Sequence, residues 1–242
     1  MERSSRILLI VVSVVVVAAA AALLAVKLSS SKVVFGSPTA PPKIVVPSAG
    51  TVTRTFAFEK FNGVTGNGAW DITVHMGRPD SVVVTVPENV VDLLNVSQSG
   101  SMLTFGLRPG TLLAKSYLTA EITTSDLARV NLNGANRLAF SGFTGDSLSV
   151  DCSGASSVQG RASTFSRVAV DASGAASIGL RNAPARDASV HLSGAGQVEV
   201  TVQGGALAGS VTGAGKLLYW GNPSSVGVQT SGAARIEKGS GT

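Results

Sequence analysis

A Gly-Ala pair, preceded each time by a small hydroxyl or amide residue, recurs through the second half of the chain. The six glycines follow one another at intervals of 20, 20, 20, 19 and 19 residues: Gly134, Gly154, Gly174, Gly194, Gly213 and Gly232. Self-similarity at a fixed period of this length is the sequence signature of stacked structural repeats. Each repeat then forms a unit that buries its apolar side against its neighbours.

Apolar and polar residues alternate around each glycine. Apolar residues stand four and two positions before the glycine and four positions after it, as Val130, Leu132 and Leu138 do in the first repeat. Polar residues occupy the odd positions, and a period of two is typical of a β-strand with one buried face. The pattern therefore predicts an all-β fold, a right-handed parallel β-helix-like solenoid of about six rungs with 19 or 20 residues each.

The Gly-Ala pair itself is expected to be structural. Glycine permits backbone angles that other residues avoid, so we expect each glycine where a rung turns. We expect the alanine after it to point inward and to fill the space left there without pushing the rungs apart. These alanines are Ala135, Ala155, Ala175, Ala195, Ala214 and Ala233.

The same offsets appear once more near the start of the β-rich part, where Val64, Gly68, Ala69 and Ile72 predict an opening rung. The chain from Gly68 to Gly134 is too long for one turn and holds four alternating runs. These runs lie around Ile72–Met76, Val82–Val86, Met102–Leu107 and Tyr117–Thr123. We predict one domain over residues 51–242, with a larger N-terminal β layer at residues 51–126 that covers one end of the repeats at residues 127–240.

The N-terminus carries a run of about twenty apolar residues, Ile7 to Val26, interrupted only by Ser13. At 1.5 Å per residue, a helix of this length spans a hydrocarbon core of roughly 30 Å. We therefore predict a transmembrane signal anchor at residues 7–26, with a cytoplasmic segment at residues 1–6 and a Ser/Pro-rich linker at residues 27–50. A cleaved signal peptide is the alternative, because the small residues Ala18 to Ala22 resemble a cleavage region.

The net charge of +5 does not indicate nucleic-acid binding, because it belongs to the N-terminal segment and its flanks. From residue 51 onward, 14 basic side chains face 13 acidic ones, which leaves no basic surface for a polyanion. The single cysteine, Cys152, cannot form an internal disulfide, and its apolar position predicts a core residue.

Two groups of polar or aromatic residues are candidates for binding. Asp151, Asp171 and His191 occupy the same outward position in three successive repeats, so stacking places their side chains about 5 Å apart. This column is typical of a solvated face, and the alternative is a shared divalent cation. Lys216, Tyr219 and Trp220 are a second candidate for ligand contact, and the alternative there is an aromatic filling of a wide rung or end cap.

The chain resembles the head GIN domain of putative auto-transporter adhesins, a family of bacterial envelope proteins. The resemblance rests on Phe61–Val64 leading into Gly68–Val74, on Val83–Val86 with Glu88–Asp92, on Leu103–Phe105, and on the Ser-Gly-Ala repeats. It spans nearly all of the chain from residue 52 onward. The resemblance implies a β-helical domain placed outside the cytoplasmic membrane and offers no catalytic residues.

These features predict a non-enzymatic module of the cell envelope that is anchored at the inner membrane, with its β domain in the periplasm or outside the cell. We expect no catalytic residues and no cofactor, since no nucleotide-binding loop or paired Cys/His motif is present. The expected partner is an unidentified protein or glycan, and an uncovered last rung also predicts self-association. An envelope-stress or assembly component and a polysaccharide-active β-helix enzyme are the alternatives.

Overall fold

The computed structural model describes residues 43–114 and 118–240. The predicted anchor at residues 7–26, the segment before it and most of the linker lie outside this part of the chain. Among the described residues, no helix has both the length and the apolar character to span a membrane.

The described residues form twenty β-strands and one short 3-10 helix, Glu88–Leu93. In chain order the strands are β1 (Lys43–Val45), β2 (Thr51–Phe56), β3 (Gly63–Gly68), β4 (Trp70–Met76), β5 (Ser81–Pro87), β6 (Leu94–Ser99), β7 (Met102–Leu107), β8 (Thr111–Leu113), β9 (Leu118–Thr124) and β10 (Arg129–Gly134). The repeats continue with β11 (Arg137–Ser141), β12 (Thr144–Gly154), β13 (Ser157–Arg161), β14 (Thr164–Gly174), β15 (Ser177–Gly194), β16 (Gln197–Gln203), β17 (Ala206–Gly213), β18 (Lys216–Asn222), β19 (Ser225–Gly232) and β20 (Arg235–Lys238).

The repeats stack as a parallel β-solenoid, which confirms the predicted all-β architecture of about six turns. One stack runs β3, β10, β12, β14, the second half of β15, β17 and β19. The other runs β4, β11, β13, the first half of β15, β16, β18 and β20. Each glycine turn joins a strand of the first stack to a strand of the second, so every rung contributes to both.

The register between rungs is the one that the sequence offsets predict. Val130 pairs with Val150, Val150 with Val170, and Val170 with Val190, and all four valines are fully buried. On the other stack, Leu138, Val158, Ile178, Val198 and Leu217 form an equivalent buried column. Each such side chain contributes roughly 1.5–3 kcal/mol on burial. Residues twenty positions apart therefore share one dry core.

The N-terminal layer closes one end of this core, and the opening rung is confirmed. Strands β3 and β4 pair in register with β10 and β11, so that Val64 lies under Val130 and Gly68 under Gly134. Below them, β7 and β9 form a further parallel level. Strands β6, β5 and β2 continue the two stacks as antiparallel neighbours, and the 3-10 helix adds the fully buried Val90 to the core.

The repeated glycines turn the chain, as predicted. Their φ angles lie between +82° and +116°, a region that residues with side chains rarely adopt. The preceding rung adds a second constraint, because a Cβ atom on Gly174 would lie 2.6 Å from the carbonyl oxygen of Gly154. Only glycine meets both conditions at this turn.

The predicted inward position of the repeated alanines is wrong. Ala155, Ala175, Ala195, Ala214 and Ala233 are exposed, and Ala135 is half-buried. The alanine sits on the outside of the turn. Its backbone N–H donates to the carbonyl oxygen of the glycine one rung earlier, as Ala175 does to Gly154 at 2.9 Å. The residue that fills the inner corner is the next one along the chain, and in the first three repeats it is Asn136, Ser156 and Ala176, all buried.

Candidate functional site

The outward side of the first stack carries two columns of polar side chains, which we call the polar face. Because neighbouring strands pair in register, one column holds Asn131, Asp151, Asp171, His191 and Ser210. The second column holds Asn133, Ser153, Ser173, Ser193 and Thr212. Together with Arg129 they line an open groove of about 680 Å³. The predicted stacking of Asp151, Asp171 and His191 is therefore confirmed.

At each end of the groove, neighbouring side chains form hydrogen bonds with one another. At one end Asp151 Oδ2 accepts a hydrogen bond from Ser149 Oγ at 3.2 Å, and the side-chain amide of Asn131, oriented to satisfy both groups, donates to the same oxygen at 3.0 Å. At the other end, His191 Nδ1 and Ser210 Oγ are 3.1 Å apart. In the second column, Ser153 Oγ donates to Asn133 Oδ1 at 2.9 Å. The ends of the polar face are thus internally satisfied.

The centre of the groove differs from its ends. Asp171, Ser173 and Ser193 are exposed, and none of their side chains has a hydrogen-bond or ion-pair partner among the residues at 43–114 and 118–240. They present one carboxylate and two hydroxyl groups on adjacent rungs, which are about 4.8 Å apart. An exposed polar group of this kind is hydrated in the free protein and can exchange its water for a ligand hydroxyl.

The cation alternative finds no support in the arrangement of the side chains. In the described part of the chain, no three His, Cys, Asp or Glu residues converge into a group that could hold a metal ion. Asp151 and His191 lie on either side of Asp171 in the stack, and each is already paired with a neighbour on its own side. The column therefore has the geometry of a hydrogen-bonding face.

A second, more apolar depression lies beside the polar face, and the sequence reasoning missed it. Its floor is formed by small residues such as Ala169 and Ala208, its volume is about 470 Å³, and Arg129 lines both depressions. Asp187 lies at its edge, where the backbone N–H of Ala206 and the Arg186 side chain lower the pKa of its carboxyl group. Ala169 and Ala208 stand two residues before Asp171 and Ser210 of the polar face, so one further step of the period of two identifies their positions.

Lys216, Tyr219 and Trp220, the second candidate for ligand contact, each have a partner within the protein. Tyr219 points inward and packs against the core, as the aromatic-filling alternative predicts. The Trp220 ring lies under the Arg181 guanidinium, 4.7 Å from it, and Lys216 Nζ forms a 2.8 Å ion pair with Glu237. The three side chains therefore have separate structural roles.

Cys152 lies directly beneath the polar face. Its side chain points into the core, as predicted, and is 4% exposed. Burial raises the pKa of the Cys152 thiol to about 12, and the nearby Asp151 carboxylate adds to the shift. Since the thiolate is the reactive form, the thiol stays protonated and inert near neutral pH.

Comparisons with known proteins agree with this architecture. A putative adhesin from Bacteroides fragilis is 17% identical, with a TM-score of 0.62 over 80% of this chain and 99% of its own. A putative lipid binding protein from Parabacteroides distasonis is 16% identical, with a TM-score of 0.54 over 82% and 100% of the two chains. A putative adhesin from Parabacteroides merdae is 17% identical, with a TM-score of 0.51 over 81% and 99%.

At these identities the likeness shows a shared fold. No curated protein matches the sequence. Residues 60–223 match the family described as putative auto-transporter adhesin, head GIN domain. This match covers the opening rung, the N-terminal layer apart from β2, and all but the last turn of the solenoid, so the chain belongs to the GIN-domain family of putative auto-transporter adhesins.

Proposed function

We propose that this chain is an exported, adhesin-like protein of the bacterial cell envelope that binds a glycan through its polar face and catalyses no reaction. Residues 7–26 anchor it in the inner membrane, and the β domain lies in the periplasm or outside the cell. Membership of the GIN-domain family supports the adhesin-like role. The length of the N-terminal apolar run supports the anchor.

The observation that carries the binding proposal is the unpaired centre of the groove. Asp171, Ser173 and Ser193 offer acceptors and donors that no other described side chain uses. A sugar presents hydroxyl groups that can donate to the carboxylate and exchange hydrogen bonds with the serines. Each neutral bond contributes roughly 0.5–1.5 kcal/mol and a bond to the carboxylate roughly 1.5–3 kcal/mol, so several rungs together give useful affinity.

A glycan fits this surface better than a protein partner does. The centres of protein interfaces are enriched in aromatic side chains, methionine and arginine, which fill pockets on the partner. The groove is lined instead mostly by Ser, Thr, Asn and Asp side chains, together with His191, and its one arginine lies at the end. The absence of a reaction is supported by the protonated Cys152. It is also supported by the surroundings of His191: its Nδ1 lies 3.1 Å from Ser210 Oγ, but its Nε2 lies 3.5 Å from Ser189 Oγ, and no carboxylate among the described residues orients the ring.

Binding to an array of neutral and acidic oligosaccharides tests the polar face. We expect the purified full chain to bind a subset of the array, and the double variant Asp171→Ala/Ser193→Ala to bind the same sugars at least about tenfold more weakly, because one charged and one neutral hydrogen bond are lost. The matched control is Ser177→Ala/Glu199→Ala, which removes the same two functional groups from the outward side of the second stack. Equal binding by both variants would show that the groove is not the site.

Membrane extraction tests the anchor. After an alkaline wash, we expect the whole chain to remain in the membrane pellet, because a retained apolar helix of about twenty residues is not released by high pH. Protease added after the outer layer is opened should then digest the β domain and leave the anchor. Recovery of a soluble chain whose N-terminus follows the Ala18–Ala22 region would instead identify a cleaved signal peptide.

A further inference from the structure

Strands β1 and β8 form a small sheet of their own, apart from the solenoid sheet. They pair in parallel, with Ile44 opposite Leu112 and Val45 opposite Leu113. Val45 is buried in the core, and Leu113 packs against the core. Because successive side chains of a strand point to opposite faces, Ile44 and Leu112 share the other, outward face. The packing of the inner side thus fixes the direction of the outer side.

The outward side of this sheet carries three exposed aliphatic side chains, which we call the apolar face. Ile44 is 68% exposed and Leu112 is 53% exposed, while Val46, two residues after Ile44, is 71% exposed. Among the residues at 43–114 and 118–240, only two other large apolar side chains are exposed in this way, and they lie on β4 and β19. Single exposed apolar residues are ordinary, whereas a cluster of them marks a surface that contacts something.

The apolar face lies where the N-terminal linker joins the β domain. Strand β1 begins at Lys43, and sixteen residues separate it from Val26, the end of the N-terminal apolar run. At roughly 3.3–3.6 Å per residue, even a fully extended linker keeps β1 within about 60 Å of the proposed anchor. Such a tether raises the effective concentration of the membrane surface at the apolar face, so a weak attraction is sufficient for contact.

The charges near the apolar face suit a lipid surface. Between Val26 and Val46 the chain carries three lysines and no acidic residue. Lys43 and Arg108 at the start of the two strands are exposed, and the exposed acidic residues nearby belong to the adjoining 3-10 helix. Basic side chains that flank an aliphatic surface are attracted to anionic head groups, while the aliphatic groups enter the boundary below.

The size of the apolar face distinguishes a bilayer from a second copy of the chain. Stable interfaces between proteins bury about 1,200 Å² or more, and aromatic side chains are enriched in them. Three aliphatic side chains supply only a fraction of that area. Membrane contact by an already anchored chain needs no such minimum, because the anchor supplies most of the affinity.

We propose that the apolar face lies against the lipid bilayer in which residues 7–26 anchor the chain, an inference that depends on the proposed anchor. Ile44, Val46 and Leu112 enter the boundary between head groups and acyl chains, and Lys43 and Arg108 contact the head groups. The β domain is then attached to the membrane at two points. Its polar face is thereby presented in a defined orientation, because the domain no longer turns freely about its linker.

Quenching of a fluorescent label by lipid tests this contact. A thiol-reactive fluorophore is attached to Leu112→Cys in the full chain, which is reconstituted in vesicles of phosphatidylethanolamine and phosphatidylglycerol that contain a spin-labelled lipid. Cys152 is not labelled, because it is buried and its thiol stays protonated. We expect the spin-labelled lipid to lower the fluorescence at least about twofold. The control Val226→Cys, at a 45% exposed position on β19, should not be quenched.

A second label position shows whether the aliphatic side chains make the contact. With the fluorophore at Val46→Cys, the double replacement Ile44→Asp/Leu112→Asp should abolish the quenching, because each new carboxylate opposes entry into the boundary. The matched replacement Ile44→Leu/Leu112→Ile should retain it. Equal quenching of the two variants would overturn the contact.

Flotation of the same vesicles separates this contact from the anchor. A chain that does not float overturns the anchor and the contact together. A chain that floats but is not quenched at residue 112 leaves the anchor intact and overturns the contact. A label at residue 112 that is shielded from water, yet not quenched by lipid, also overturns it, since protein then covers the apolar face.

Discussion

Replacing Gly174 with alanine is expected to lower the free energy of unfolding by about 3 kcal/mol or more. Two costs add at this turn. The φ angle of +88° is unfavourable for any residue with a Cβ atom, and that atom would lie 2.6 Å from the carbonyl oxygen of Gly154. The carbonyl cannot move away, because it accepts the backbone hydrogen bond of Ala175. Urea unfolding followed by circular dichroism measures the loss.

Gly204→Ala is the matched control for this prediction. Gly204 has a similar φ angle of +84°, but no atom lies within 4 Å of the position that its Cβ would occupy. This variant therefore reports only the cost of the backbone conformation, about 1–2 kcal/mol. If the two alanine variants unfold at the same urea concentration, close stacking between rungs is not what requires glycine at the repeated turns.

The second large effect is expected for Val170→Asp, which should lower the free energy of unfolding by about 4 kcal/mol or more at pH 7. Val170 is fully buried between Val150 and Val190, so the new carboxyl group has no polar partner in the core. Because these valines belong to three successive rungs, the damage should spread to the rungs on both sides. Hydrogen exchange of the amides in β12 and β15 would show that spread.

The pH dependence of the same variant gives a further check. Burial raises the pKa of an aspartic acid in the folded state above its unfolded value of about 3.9, so the folded state binds more protons. The stability of the Val170→Asp variant relative to the native chain should therefore fall as the pH rises above about 4.

Ala169→Asp and Ala155→Leu are the controls for the buried charge. Ala169 directly precedes Val170 on the same strand but faces outward, and Ala155 sits on the outside of its turn. Each should change the free energy of unfolding by no more than about 0.5 kcal/mol at pH 7. A loss at Ala169 as large as that at Val170 would mean that the two faces of β14 are not distinguished by burial.

The sequence predicted the solenoid in detail because every rung has nearly the same length. When repeats of 19 or 20 residues stack, equal offsets from the glycine fall on one another, so the pairing of Val130 with Val150 follows from counting. The antiparallel level of β2, β5 and β6 could not be obtained in this way. Those strands are not periodic, and their pairing depends on turns and long-range contacts that no repeat specifies.

The repeated alanine faces outward, and its position in the sequence already indicates this. A small residue repeated six times suggests a packing requirement, but the position directly after the glycine is an odd offset and belongs to the outward set. In the polar face, counting predicted the adjacency of Asp151, Asp171 and His191 but not their partners. Which side chains are satisfied depends on local contacts, such as that of His191 with Ser210, and these leave Asp171 unpaired.

The position of β3 and β4 in the stack has a consequence for the order of assembly. The contacts that join the opening rung to the first repeat span 66 residues, whereas those between later rungs span 19 or 20. Closing a loop of 66 residues is slower than closing one of 19 or 20 residues. We therefore expect formation of the N-terminal layer to be the slow step of folding, and the addition of each later rung to be faster. During synthesis from the N-terminus, the N-terminal layer is thus complete before the repeats have been made. Each new rung can then pair with the one before it.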